Sequence, residues 1–164
     1  QFLVLDSAAG ISSQTMAFAA AADRLLLVVT PDVTSMTDAY GFLKVHSQVR
    51  PAGEVLFLVN RAVDEAQAYR TADRFREVSR EFLGVEPRWI GFLPEDPAVG
   101  ASVNHQKPLL IDDPSSRAGR ALSGIAAQVF SELECLSPRG LGRSLAAVGG
   151  GEALASRPTA VRPS

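Results

Sequence analysis

Apolar residues fall consecutively, rather than alternately, in four short stretches: residues 2–5, 25–30, 55–60 and 89–93. That pattern suits strands covered on both faces. The segments between them have helical composition. Residues 12–22 are rich in alanine. Residues 35–49 follow a capping Thr34 or Ser35, with Asp38 expected in the first turn. Residues 63–83 carry Val63, Ala66, Tyr69, Ala72, Phe75, Val78 and Phe82 at helical spacing and end at Gly84, a usual stop residue. A last helix is expected from Ser115 to about Leu136, before Pro138. Strands alternating with helices predict βαβ units: an α/β fold with a mostly parallel sheet, helices on both faces and right-handed crossovers.

In such a fold every strand ends at the same rim. Four polar clusters then gather there: Asp6, Ser7 and Gly10; Thr30, Pro31 and Asp32; Asn60 and Arg61; Pro94, Glu95 and Asp96. Any one of them could simply cap a helix or make a turn. Their coincidence at four strand ends argues for a ligand site, because open α/β sheets bind ligands outside the carboxyl ends of their strands.

Composition narrows the classes. The 164 residues are 46% apolar, enough for one domain with a sizeable core. A net charge of −2 leaves no electrostatic footprint for nucleic acid. No apolar run has the length of a membrane span, and the first residues lack the basic region of a signal peptide. The single Cys135 excludes an internal disulfide, fits a cytosolic setting and is expected to be a small buried apolar residue. His46 and His105 have no metal-ligand partners at suitable spacing. No serine sits in a nucleophile elbow. Trp89, opening a strand, is expected to pack in the core or at its edge. From Pro138 the composition turns to Gly, Ala, Ser, Pro and Arg, so residues 1–136 read as the domain and 137–164 as a flexible tail. Within it Leu141, Leu145 and Val148 stand at i, i+4, i+7 beside Arg139 and Arg143, a weak amphipathic signal for a membrane surface opposed by Gly140 and Gly142.

Five segments together resemble the MinD/ParA branch of P-loop ATPases. Leu3-Val4-Leu5-Asp6-Ser7-Ala8-Ala9-Gly10-Ile11 is similar to that group's Walker B and switch II segment. Thr30-Pro31-Asp32-Val33-Thr34-Ser35-Met36-Thr37-Asp38-Ala39-Tyr40 resembles its next strand end and helix. Val59-Asn60-Arg61 resembles the strand end that reads adenine. Gly91-Phe92-Leu93-Pro94-Glu95-Asp96 resembles the segment closing over the base, and His105-Gln106-Lys107-Pro108-Leu109 the turn that follows. The resemblance covers about residues 1–135. The first two segments are most similar to flagellar-number regulators of the FlhG/FleN type. The family's K-G-G-x-G-K-[ST] loop is absent from all 164 residues. The chain is therefore expected to be the C-terminal part of a longer protein, incomplete at its N-terminus, and unable alone to hydrolyse ATP.

The resemblance implies ATP and Mg²⁺ as cofactors of the intact protein. It implies that Asp6 holds the Mg²⁺ water shell and that Ser7 and Gly10 belong to switch II. Asn60 would read adenine, Arg61 would stack on it or stay solvated, and Pro94, Glu95 and Asp96 would line the opposite face of the base, largely through backbone groups. Asp38 would lie near a dimer face. It further implies an ATP-bound homodimer at the inner face of the membrane. Implied partners are the flagellar-placement GTPase, a flagellar transcription activator or flagellar switch components, with no specific nucleic acid. Two alternatives stay open: a non-catalytic MinD-like interaction module of a secretion or pilus system, and a ParA-type partitioning ATPase. A sheet lacking its P-loop strand would expose an edge, so marginal stability or association is expected of the chain alone.

Overall fold

The computed structural model describes residues 4–50 and 54–134. In chain order these form α1 (Ser13–Ala21), β1 (Leu25–Val29), α2 (Val33–Val49), β2 (Val55–Ala62), α3 (Glu65–Leu83), β3 (Arg88–Pro94), α4 (Pro97–Asn104), α5 (Leu109–Asp112) and α6 (Arg117–Glu134). The strands form a parallel sheet in the order β1-β2-β3. Their carboxyl ends share one rim, as the sequence pattern predicts.

Helices cover both faces. On one, Leu27, Val29, Val55, Phe57 and Val59 pack with Leu43 of α2 and Ala68, Ala72 and Phe75 of α3. On the other, Leu56, Leu58 and Ile90 pack with Ile125 and Val129 of α6. Central β2 is buried on both sides, which accounts for its unbroken apolar run. On β1 the same alternation leaves Leu26 and Val28 exposed, because α6 lies over β2 and β3. Arg88 anchors that helix by donating to both carboxylate oxygens of Glu132 and to Glu54, which also pairs with Arg24. These bonds hold the Glu132 carboxyl below the usual range and raise the Arg88 guanidinium.

The structure departs from the sequence pattern at several places. Val4 and Leu5 of the first apolar stretch form no strand; they are exposed and irregular, while residues 2–3 lie outside the described set. A strand exists only by pairing, and no described strand offers residues 4–8 a ladder. Helix α3 buries Ala68, Thr71, Ala72, Phe75 and Ser79, whereas Val63, Tyr69 and Phe82 are exposed. The buried face is made of small residues around one aromatic ring, so an apolar count mislocates it. The N-cap of α2 is Asp32 instead of Thr34 or Ser35. The Ser35 hydroxyl turns back to accept the Thr30 N–H at 2.9 Å, and Asp38 falls beyond the first turn. Trp89, by contrast, packs at the edge of the core as expected, half-buried and edge-on to Tyr69, with its indole N–H donated to the Gly91 carbonyl. Cys135 and the tail, residues 137–164, lie outside the described residues.

Candidate functional site

The rim of β2 and β3 is shaped by two compensating bulges. From Phe57↔Trp89 to Val59↔Phe92 strand β3 advances one residue more than β2; from Val59↔Phe92 to Ala62↔Pro94 the excess falls on β2. The first bulge contains Gly91 at φ +126°, under the Ile125 side chain, where a non-glycine residue would be strained. The second contains Arg61 at φ +58°, a left-handed conformation uncommon for arginine. A bulge re-aims side chains out of the ladder, and this one turns Asn60 and Arg61 onto the rim.

Their surroundings fix their chemistry. The Asn60 Oδ1 accepts the Arg61 N–H at 2.9 Å, which assigns the amide's orientation and leaves Nδ2 as a donor. The Glu95 N–H donates to the Ala62 carbonyl at 2.8 Å, stitching the segment after β3 to the end of β2. The Arg61 guanidinium reaches the Glu95 carboxylate at 3.5 Å, and both groups are exposed. Pro94 is buried and fixes the backbone between them. Asn60, Arg61, Pro94 and Glu95 thus form one group.

Asp96 belongs to that group by position but not by chemistry. One carboxylate oxygen accepts the Ala98 N–H at 2.9 Å and the other the Ala118 N–H at 3.0 Å, so a single side chain caps the starts of α4 and α6. Bonds from Ala118, then Ala98, then Arg117 hold its carboxyl below the ordinary value. The side chain thus pins the starts of two helices, which leaves the expected contribution of this segment to its backbone groups. The sequence signal was present in the Pro94-Glu95-Asp96-Pro97 string, since Asp followed by Pro at a first helical position is a capping pattern. Asp96→Ala is expected to lower the thermal midpoint by several degrees, with Asp96→Asn intermediate. Because the folded group titrates below the ordinary value of 3.8, its contribution is present above that value and lost as pH falls through the folded one. The difference in midpoint between the natural chain and Asp96→Ala should therefore shrink on acidification below pH 4.

The other expected site residues are not joined to this group. Asp6, Ser7 and Gly10 lie in an exposed irregular segment, with Gly10 at φ +112°, and no hydrogen bond or ion pair ties Asp6 to the rim. Asp38 is exposed on α2. The turn at residues 105–109 joins α4 to α5: the Lys107 N–H donates to the Ser102 carbonyl, Gln106 has φ +53°, and His105 Nδ1 lies 2.8 Å from Asp112. Among the described residues no cluster of three His, Cys, Asp or Glu side chains could hold a metal, and no helix is long and apolar enough to cross a membrane. What the rim brings together among the described residues is Asn60, Arg61, Pro94 and Glu95.

A parallel sheet covered by helices on both faces, with a polar rim beyond β2 and β3, defines an α/β fold of the P-loop NTPase kind. The septum site-determining protein MinD of Pyrococcus horikoshii, solved with Mg-ADP, shares it with a TM-score of 0.50 and 20% identity, over 72% of this chain and 45% of that one. No family model matches the chain. Antiactivator FleN of Pseudomonas aeruginosa is 32% identical over 138 residues, covering 84% of this chain and 49% of that protein. Flagellum site-determining protein YlxH of Helicobacter pylori is 27% identical over 134 residues, covering 81% and 45%. The chain belongs to the MinD/ParA family. It spans about half the length of the curated relatives it matches.

Proposed function

We propose that this chain is the base-reading part of a MinD-type ATP switch that sets flagellar number or placement. The observation that carries the reading is the bulged rim, where Asn60 presents an amide donor and the Arg61 guanidinium meets Glu95. An amide can donate through Nδ2 to a purine ring nitrogen while its oxygen keeps a second lone pair for an exocyclic amine, a pairing that suits adenine over guanine. Arg61 stacks on the base and Pro94 lines it. In a protein of the relatives' full length (the relative-length protein), Asp6 would orient the water shell of Mg²⁺. Ser7 and Gly10 form the switch segment, and Asp38 lies at the face of an ATP-bound homodimer. Hydrolysis then resets the dimer at the membrane surface, where the flagellar-placement GTPase, a flagellar transcription activator or switch components are engaged.

Calorimetric titration of the relative-length protein with ATP and with GTP tests this. Asn60→Ala is expected to weaken ATP binding about tenfold, the worth of one well-placed hydrogen bond to a buried base, and to narrow the preference over GTP. Unchanged ATP affinity would remove the rim from the nucleotide site. A natural protein that binds no nucleotide would favour the interaction-module alternative.

A further inference from the structure

One buried titratable group stands apart from the rim. His46, on α2, is 1% exposed, and neither ring nitrogen has a hydrogen-bond partner. Its ring stacks on Phe42 one turn earlier, with centroids 6.2 Å apart and planes 12° apart. It lies at the seam between α2 and α1, whose Met16, Ala19 and Ala21 are buried. At the end of α2 the Arg50 guanidinium closes the same seam, donating to the carbonyls of Ala20 and Ala22 at the end of α1. Two features of α2 thus hold α1 in place: a neutral imidazole in an apolar seam and a cation on the last carbonyls.

The charged group that acts on the ring, the Arg50 guanidinium, opposes its protonation. Helix α1 carries no ionisable side chain. On α2 the Arg50 guanidinium repels an imidazolium. The charged side chains of α3, which also packs on α2, are exposed, apart from half-buried Arg76, which pairs with Glu86. Burial is the largest influence and lowers the His46 pKa; the Ala19 backbone, near the ring but outside hydrogen-bonding geometry, raises it, and Arg50 lowers it again.

We propose that His46 is an acid-sensitive latch on the α1–α2 seam, whose protonation releases α1 and, with it, residues 6–11 at its leading end. An imidazolium has no acceptor in the seam, so it is stable only once α1 has moved away and water has entered. The sign follows from linkage. A histidine that stays neutral when packed and titrates near 6.5 when exposed leaves the seam intact above that pH and weakens it below. The latch is a property of this seam and does not depend on the nucleotide reading, so its test and the titration above fail separately.

Amide hydrogen exchange of the full chain, corrected for intrinsic rates, reads it directly. Between pH 7.5 and 5.5 protection in α1 is expected to fall about tenfold, the linkage limit for one proton taken up a unit below its exposed pKa. Amides of β2 should keep theirs. His46→Leu should make α1 protection independent of pH over this range. Unchanged α1 protection in the natural chain, the same loss in His46→Leu, or an equal loss in β2 would each overturn the latch. Should His46→Leu fail to fold, the ring Cε1–H resonances of the natural chain decide. A His46 ring titrating at or above the ordinary 6.5 while α1 stays protected overturns the proposal; one titrating below it, in step with the loss of α1 protection, supports it.

Discussion

Asp6→Ala is expected to reduce ATP turnover of the relative-length protein by about 10²–10³-fold while leaving the thermal midpoint within about a degree of the natural protein. The loss is the scale seen when one preorganised group facing developing charge is removed, and at 1.36 kcal/mol per decade it amounts to about 3–4 kcal/mol of barrier. A carboxylate that orients the water shell of Mg²⁺ acts on the transition state, where charge spreads over the transferred phosphoryl group. Stability should not follow, because Asp6 is exposed and, among the described residues, makes no hydrogen bond or ion pair that its removal would orphan. Phosphate release and a thermal melt on the same preparations separate the two effects. Turnover that survives Asp6→Ala would remove this residue from the nucleotide chemistry. A large drop in midpoint would show that the segment is structural, contrary to its exposure here.

What the sequence revealed follows from which forces are local. The three paired strands, the helices between them and the shared rim were legible because burial on both faces writes itself as consecutive apolar residues, and because Gly84 ends a helix where its left-handed backbone requires a glycine; α4 and α5 were not foreseen. Asn60, Arg61 and the proline-bearing loop were legible as polar clusters at strand ends, and their proposed link to a base only as a resemblance. Their geometry depends on the bulges at Gly91 and Arg61, which are settled by pairing between strands about 30 residues apart and leave no periodic mark. The stretch at residues 2–5 misled for the complementary reason: its apolar pattern states a wish to be covered, and no neighbour among the described residues covers Val4 or Leu5. His46 was set aside for want of a metal partner, and its burial between α1 and α2 could not be read from a helix with few apolar positions at strict spacing. Asp96 shows the remaining gap. Its place in a family segment suggested a ligand, while the carboxylate is spent on two helix starts that only the tertiary fold brings within reach.

The most severe loss of stability is expected at Phe57. Its side chain is 0% exposed on the central strand, and its ring meets Phe75 of α3 at a centroid distance of 5.0 Å and an angle of 57°. Phe57→Ala removes both the transferred area and that aromatic contact, and it leaves a cavity that β2, paired on both sides, cannot close. The cost is about 3–5 kcal/mol, a large share of the roughly 5–15 kcal/mol that holds an ordinary domain together. Val28→Thr supplies the contrast. Val28 is 54% exposed on the face of β1 that α6 does not reach, so the exchange should change stability by no more than about 0.5 kcal/mol. Urea unfolding of both variants beside the natural chain checks the pair, with the slope of each transition confirming that the same surface is exposed. Loss of a cooperative transition in Phe57→Ala together with an unchanged midpoint in Val28→Thr would establish which face of the sheet carries the α2–α3 core. A Val28→Thr variant as unstable as Phe57→Ala would mean that the β1 face is covered in this chain after all, by a surface that α6 does not provide.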